Sequence, residues 1–262
     1  MLFLRNNILK ITFSFFIITI SNSLCAKEYL NSTYLAYVKI QDSRINSISE
    51  NGLTSIKNLL NARTSVTPEG VVGLEINNDV LYYYPFLYWP LTKDLQKIDQ
   101  LVINKIKNYI HNGGIIFFDV IGFSRKSINL EHSQYESIRN FLSKIDVGTL
   151  SIMPKEHTLS KSFYLLRKFP GRWDNKILLI ENENLDLKDN VNSIILGFND
   201  WASAWAVDKN DFPLFPVVPG GERQRELAYR FGINLTMYAL TGNYKSDQIH
   251  SKSILNRLSK SN

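Results

Sequence analysis

Two acidic positions stand at the ends of apolar runs, and a doubled glycine opens a helix that carries arginines; these are the places in the 262-residue chain where chemistry could be concentrated. Asp119 closes the run beginning at Ile115, where a carboxylate could serve as a general base or metal ligand or cap the turn that follows it. Asn199 and Asp200 follow the run Ile194 to Phe198. Asp200 suits an N-cap, which would set Trp201 and Trp205 four apart on one helix face. Those two rings either fill the core, as most large aromatics do, or line a cleft on which a sugar or peptide stacks.

The helix that opens after Pro219-Gly220-Gly221 is expected to reach about Leu240 and to stop at Gly242. Gly220 and Gly221 would leave backbone N–H groups at the positive end of its dipole, with Arg223 and Arg225 beside them, a combination able to hold a carboxylate or phosphate. Arg223, Glu226 and Arg230 share a stripe, with Glu226 and Arg230 in the orientation that favours an ion pair. Read structurally, these arginines and the glutamate pin the helix to the sheet. Leu227, Phe231, Leu235 and Tyr238 form the stripe expected to be buried. Gly232 costs about 1 kcal/mol against alanine inside a helix, which predicts that another backbone approaches there.

Other chemistries find fewer residues. The sequence has no Gly-x-Ser-x-Gly elbow, and its doubled glycine lacks the lysine and serine or threonine spacing of a phosphate loop. His111, His132, His157 and His250 do not stand at metal-ligand spacing, so no metal and no cofactor is implied. His157, four residues before Lys161, is either catalytic or a cap on a short helix starting at Thr158 or Ser160.

Residues 1–26 read as a secretory signal peptide: Arg5 and Lys10, the apolar stretch Ile11 to Ile20, then a small polar exit ending at Ala26. Cleavage there would take away Cys25, the chain's one cysteine, and with it any disulfide, thiol nucleophile or thiolate ligand. The formal charge would fall from +6 to +4, because the leader carries two bases and no acid. That excess is dispersed rather than clustered among aromatics, which excludes nucleic acid as an expected partner. The expected location is the periplasm or the exterior of a bacterial cell, with membrane contact only if the signal is left uncleaved.

Behind the leader, residues 27–262 are enough for one domain with a single core. Strand-like runs at Leu35 to Val38, Leu81 to Tyr84, Ile115 to Val120, Ile177 to Ile180 and Ile194 to Phe198 alternate with helical patterns. One helix carries Leu53, Ile56 and Leu60. A second is capped by Thr92 and carries Leu95, Ile98, Val102, Ile106 and Tyr109, with Asn112-Gly113-Gly114 as its stop. A third carries Tyr135, Ile138, Leu142 and Ile145. Apolar strands alternating with helices predict an α/β fold: a three-layer open, mainly parallel sheet with helices on both faces, of the flavodoxin-like kind.

The blocks LYYYPFLYWPLT, PKEHTLSKSFYLLRKFPGRW, GFNDWASAWAVD and PVVPGGERQRELAYRFGINLTMYALTGNYKSDQ make the chain resemble the bacterial domain-of-unknown-function family numbered forty-one fifty-nine over nearly all of Tyr34 to Leu258. That resemblance implies a class I glutamine amidotransferase-like fold and supplies no catalytic residue. Such amidotransferases need a cysteine on a tight strand-to-helix turn. The comparable strand here delivers Asp119, Val120, Ile121 and Gly122, which excludes amidotransfer by that mechanism. Two readings stay open. One is a non-catalytic binding or assembly module of the cell envelope, holding a small anionic ligand or a protein partner in a cavity between Asp119, Asn199-Asp200 and the Gly220 helix. The other is a hydrolase acting on an envelope sugar or peptide with Asp119 or Asp200 as base, which requires both carboxylates to reach a common cavity.

Overall fold

The apolar runs pair with one another in the computed structural model, which describes residues 33–93, 98–122, 132–145, 147–174, 177–181 and 191–258. The leader assigned to residues 1–26 lies outside them. The strands are β1 (Tyr34–Val38), β2 (Gly70–Leu74), β3 (Phe86–Leu91), β4 (Ile115–Val120), β5 (Leu150–Ile152), β6 (Leu178–Glu181) and β7 (Ile194–Gly197), in the sheet order β2-β1-β3-β4-β7-β6-β5. The first four and β7 pair in parallel, whereas β6 and β5 join antiparallel at one edge. The helices are α1 (Ser43–Arg63), α2 (Gln100–His111), α3 (His132–Lys144), α4 (Trp201–Trp205) and α5 (Gly221–Leu258).

Alternation along each strand divides the apolar side chains between two layers of helix. Phe117 and Tyr88 point into a core with Leu53, Ile56 and Leu60 of α1, the tryptophans of α4 and Phe231, Leu235 and Tyr238 of α5. Phe118 and Trp89 point into the opposite core, with Val102, Ile106 and Tyr109 of α2 and Ile138, Phe141 and Leu142 of α3. The expected three-layer α/β architecture is therefore the one observed.

Several boundaries differ from expectation. Leu81 to Tyr84 is not a strand: the segment turns, with Tyr84 N–H donating to Leu81 O at 3.1 Å, and the Tyr109 hydroxyl reaches Tyr84 O at 2.9 Å. Leu81 and Tyr84 bury their side chains in the α2-side core, so their apolarity serves packing and not pairing. The strand lies further on and contains Pro90. Pairing between β1 and β3 runs only to Tyr37 and Tyr88, so one side of Pro90 asks for no N–H.

Thr92 does not cap α2; the Asp99 carboxylate does, accepting from Val102 N–H at 2.8 Å. β2 and β5 had no strand signal that was recognised. Gly242 does not stop α5, which continues to Leu258, since a lone glycine costs a helix only about 1 kcal/mol when no proline follows.

Gly232 makes room for the Ile56 side chain, whose Cδ1 would lie 2.5 Å from an added Cβ, rather than for a backbone. The backbone approach occurs at Gly52 in mid-α1, where an added Cβ would meet Ala202 O at 2.7 Å. Gly52→Ala is accordingly expected to destabilise by about 1–2 kcal/mol despite a helix-propensity gain of about 1 kcal/mol, because two backbones must separate. Gly232→Ala would crowd the buried Ile56 side chain, with Cδ1 2.5 Å and Cγ1 3.0 Å from the new Cβ, and is expected to cost up to about 2 kcal/mol after its helix-propensity gain. Urea unfolding of the pair checks both.

Candidate functional site

The carboxyl ends of the parallel strands carry two different environments, one sealed and one open. The sealed one is built on Asp119, near the end of β4 and without solvent exposure. Its Oδ1 accepts Asp200 N–H at 3.1 Å, and its Oδ2 accepts Trp201 N–H at 2.6 Å and the Tyr88 hydroxyl at 2.8 Å. Asp119 thus caps α4 from a neighbouring strand, not the turn that follows it in sequence. Burial, then the nearby Asp200 charge, push its pKa up to about 8. Burial and the same acids push the Tyr88 phenol well above its ordinary value, so it remains a donor.

Asp200 stands at the N-cap position but makes no cap bond with its side chain, and its backbone is left-handed at φ 51°. Its carboxylate turns instead to Arg172, with Nη1 to Oδ2 at 3.3 Å. The Arg172 guanidinium lies 5.0 Å from the Trp173 ring centre and 4.9 Å from that of Phe215. Asn199 is buried, its amide donating to Phe169 O at 2.9 Å. Trp201 packs on Phe117 and Phe231, and Trp205 on Tyr88, both rings fully buried. Neither tryptophan offers a face on which a sugar or peptide could stack.

At the opposite end of α4, Arg225 donates from Nη1 to Ala204 O at 2.7 Å and from Nη2 to Phe215 O at 2.6 Å. The Asp119 oxygens thus satisfy N–H groups at one end of α4 and the Arg225 guanidinium satisfies a carbonyl at the other, groups that a helix end leaves without intrahelical partners. Gly220 N–H is taken by Gln224 Oε1 at 2.8 Å, and Gln224 Nε2 reaches Gly171 O, Arg172 O and Val218 O. Gly221 has φ 54°, a conformation that favours glycine. The start of α5 is therefore tied to its own loop, and Arg223 is exposed.

Glu226 meets Arg230 at 2.9 Å as the spacing anticipated, and also Arg63 at 2.9 and 3.2 Å. Burial pushes the Glu226 carboxyl up, but hydrogen bonds from Arg63 and Arg230 outweigh it and hold the pKa below its ordinary value. The network pins α5 to α1, not to the sheet. His157 caps the 3-10 turn Thr158–Lys161 by accepting Leu159 N–H at Nδ1, 3.2 Å, while its Nε2 lies 2.8 Å from Asn192 Oδ1.

Asp119, Asn199, Asp200, Gly220 and Arg225, singled out by sequence reasoning, gather around α4 and its flanking loops, each with a polar group bonded to protein. It missed Arg172 and Gln224, because Arg172 pairs with Asp200, 28 residues on, and Gln224 reaches the carbonyls of Gly171 and Arg172 on another loop, neither of which local spacing reveals. Both Asp119 oxygens are occupied and shielded from solvent, so this carboxylate cannot reach a substrate as a base.

The open environment lies between the ends of β1, β3 and β4, a cleft of about 860 Å³. Gln41, Asp42 and Ser43 contribute from the start of α1, Thr92 and Lys93 from the end of β3, and Gly122 from beyond β4. Ile40, Ile45, Val120, Ile121 and Ile138 supply an apolar wall. This is the switch point of the sheet: β2 lies on one side of β1 and β3 on the other, while α1 and α3 pack on opposite faces. Among the described residues, no group of three histidine, cysteine, aspartate or glutamate side chains could hold a metal ion.

The model of a domain of unknown function, DUF4159, matches residues 34–240. The chain belongs to that family. The match covers every strand of the described residues, and the residues of the cleft and of the sealed cluster lie within it. No curated protein matches the chain.

Proposed function

We propose that this DUF4159 domain is a non-catalytic binding module of the bacterial cell envelope, whose small anionic ligand lies in the cleft between β1, β3 and β4. The observation that carries this reading is the cleft's position and make-up. Open parallel sheets bind ligands beyond the carboxyl ends of their strands at the switch point, and 860 Å³ falls in the range of small-molecule sites. Lys93 gives the lining a cation for the ligand's anionic group, beside the Asp42 carboxylate, and Gln41, Ser43 and Thr92 add neutral hydrogen-bonding groups. Its described lining offers no cysteine or histidine. The Arg225 side of the molecule is a poorer anion site, because that guanidinium is buried and spends two of its donors on carbonyls. The leader-like residues 1–26 support a periplasmic or secreted location.

Titration of the isotope-labelled protein with succinate and with inorganic phosphate tests the reading. Amide resonances of Ser43, Thr92, Lys93 and Gly122 should move, those of Asp200 and Trp201 should not, and Lys93→Gln should weaken the effect about tenfold. Movement of the Asp200 and Trp201 resonances in place of the cleft's would refute it.

A further inference from the structure

The cleft holds an acid as well as a base, and the two meet an apolar wall. Asp42 caps α1 through Oδ1 alone, which accepts Arg44 N–H at 2.9 Å and Ile45 N–H at 3.2 Å. Among the described residues, Oδ2 has no hydrogen-bond partner. Lys93 lines the same cleft from the end of β3, and Ile40, Ile45, Ile121 and Ile138 line it alongside these charges. A purely anionic ligand would leave the Asp42 carboxylate facing a like charge. A purely cationic one would do the same to Lys93.

We propose that the ligand is a zwitterion with an apolar body, of the class of short apolar peptides with free termini. Its carboxylate is held by Lys93 with the Ser43 hydroxyl, its ammonium by Asp42 Oδ2, and its side chains by Ile45, Val120 and Ile138. This deepens the reading of the cleft as a ligand site and rests on it. Two oppositely charged anchors also fix direction, so only one orientation of the peptide satisfies both charges.

Asp42→Asn separates charge from fold, because asparagine caps a helix about as well as aspartate. The probe is the dipeptide alanyl-leucine, compared with its N-acetyl and its amide derivatives by resonance titration at Ser43 and Lys93. Wild type should bind the free dipeptide about tenfold more tightly than either derivative. Asp42→Asn should abolish discrimination against the acetyl form only, and Lys93→Gln discrimination against the amide only. Equal binding of all three, or discrimination untouched by either variant, would overturn the proposal. If succinate moves the cleft resonances and alanyl-leucine does not, the zwitterion is refuted while the anion module survives. If neither moves them, both fall.

Discussion

Asp119→Ala is expected to cost the domain about 4 kcal/mol near pH 4, and markedly less near pH 9. Alanine leaves two buried N–H groups and the buried Tyr88 hydroxyl without their acceptor, each worth roughly 1–3 kcal/mol. The pH dependence follows from burial and the Asp200 charge, which raise the folded pKa from 3.8 to about 8. A folded state that holds its proton more tightly than the unfolded chain gains stability at low pH and loses it as pH rises. Stability from this group is therefore complete below about 4 and gone above about 8, within the window between the two values. Wild type should unfold more easily at pH 9 than at pH 5, and the gap to Asp119→Ala should narrow over the same range. Asp119→Asn, which cannot titrate, should flatten the slope. Chemical denaturation of the three proteins across that range checks it; a gap of constant size would show that Asp119 is not the titrating group.

Arg225→Ala is expected to cost about 2–4 kcal/mol. The guanidinium is the donor to Ala204 O and Phe215 O, which join α4 to the loop before α5. Arg225→Lys should recover about half of the loss, because one ammonium cannot reproduce a planar fork aimed at two carbonyls. Arg223 is exposed, so Arg223→Ala should shift stability by no more than about 0.5 kcal/mol. Urea unfolding supplies all three numbers, and equal effects at 223 and 225 would contradict the buried fork. Charge reversal at both positions would therefore report on folding through Arg225 before it could report on any partner.

These two residues also mark what periodicity could reveal and what it could not. The buried stripe of α5 was legible because helical spacing brings Phe231, Leu235 and Tyr238 to one face whatever that face meets. The strands Ile115–Val120 and Ile194–Gly197 were legible because burial on both faces leaves an unbroken apolar run. The segment from Leu81 to Tyr84 misled for the same reason: Leu81 and Tyr84 are buried as strand residues are, yet they lie in a turn under α2. The acidic cluster was located by residue type, but its roles were exchanged. Asp200 occupies the cap position, whereas Asp119, 81 residues earlier, supplies the cap.

By itself the sequence determined the layered α/β class, the helix faces and the gathering of polar residues near strand ends, since local periodicity and turn chemistry encode these. Only the tertiary structure decided that the acidic cluster is sealed, that Arg225 is spent on carbonyls, and that the open cleft lies between β1, β3 and β4. Those outcomes depend on which strands become neighbours, a pairing of segments far apart in the chain that no local pattern records.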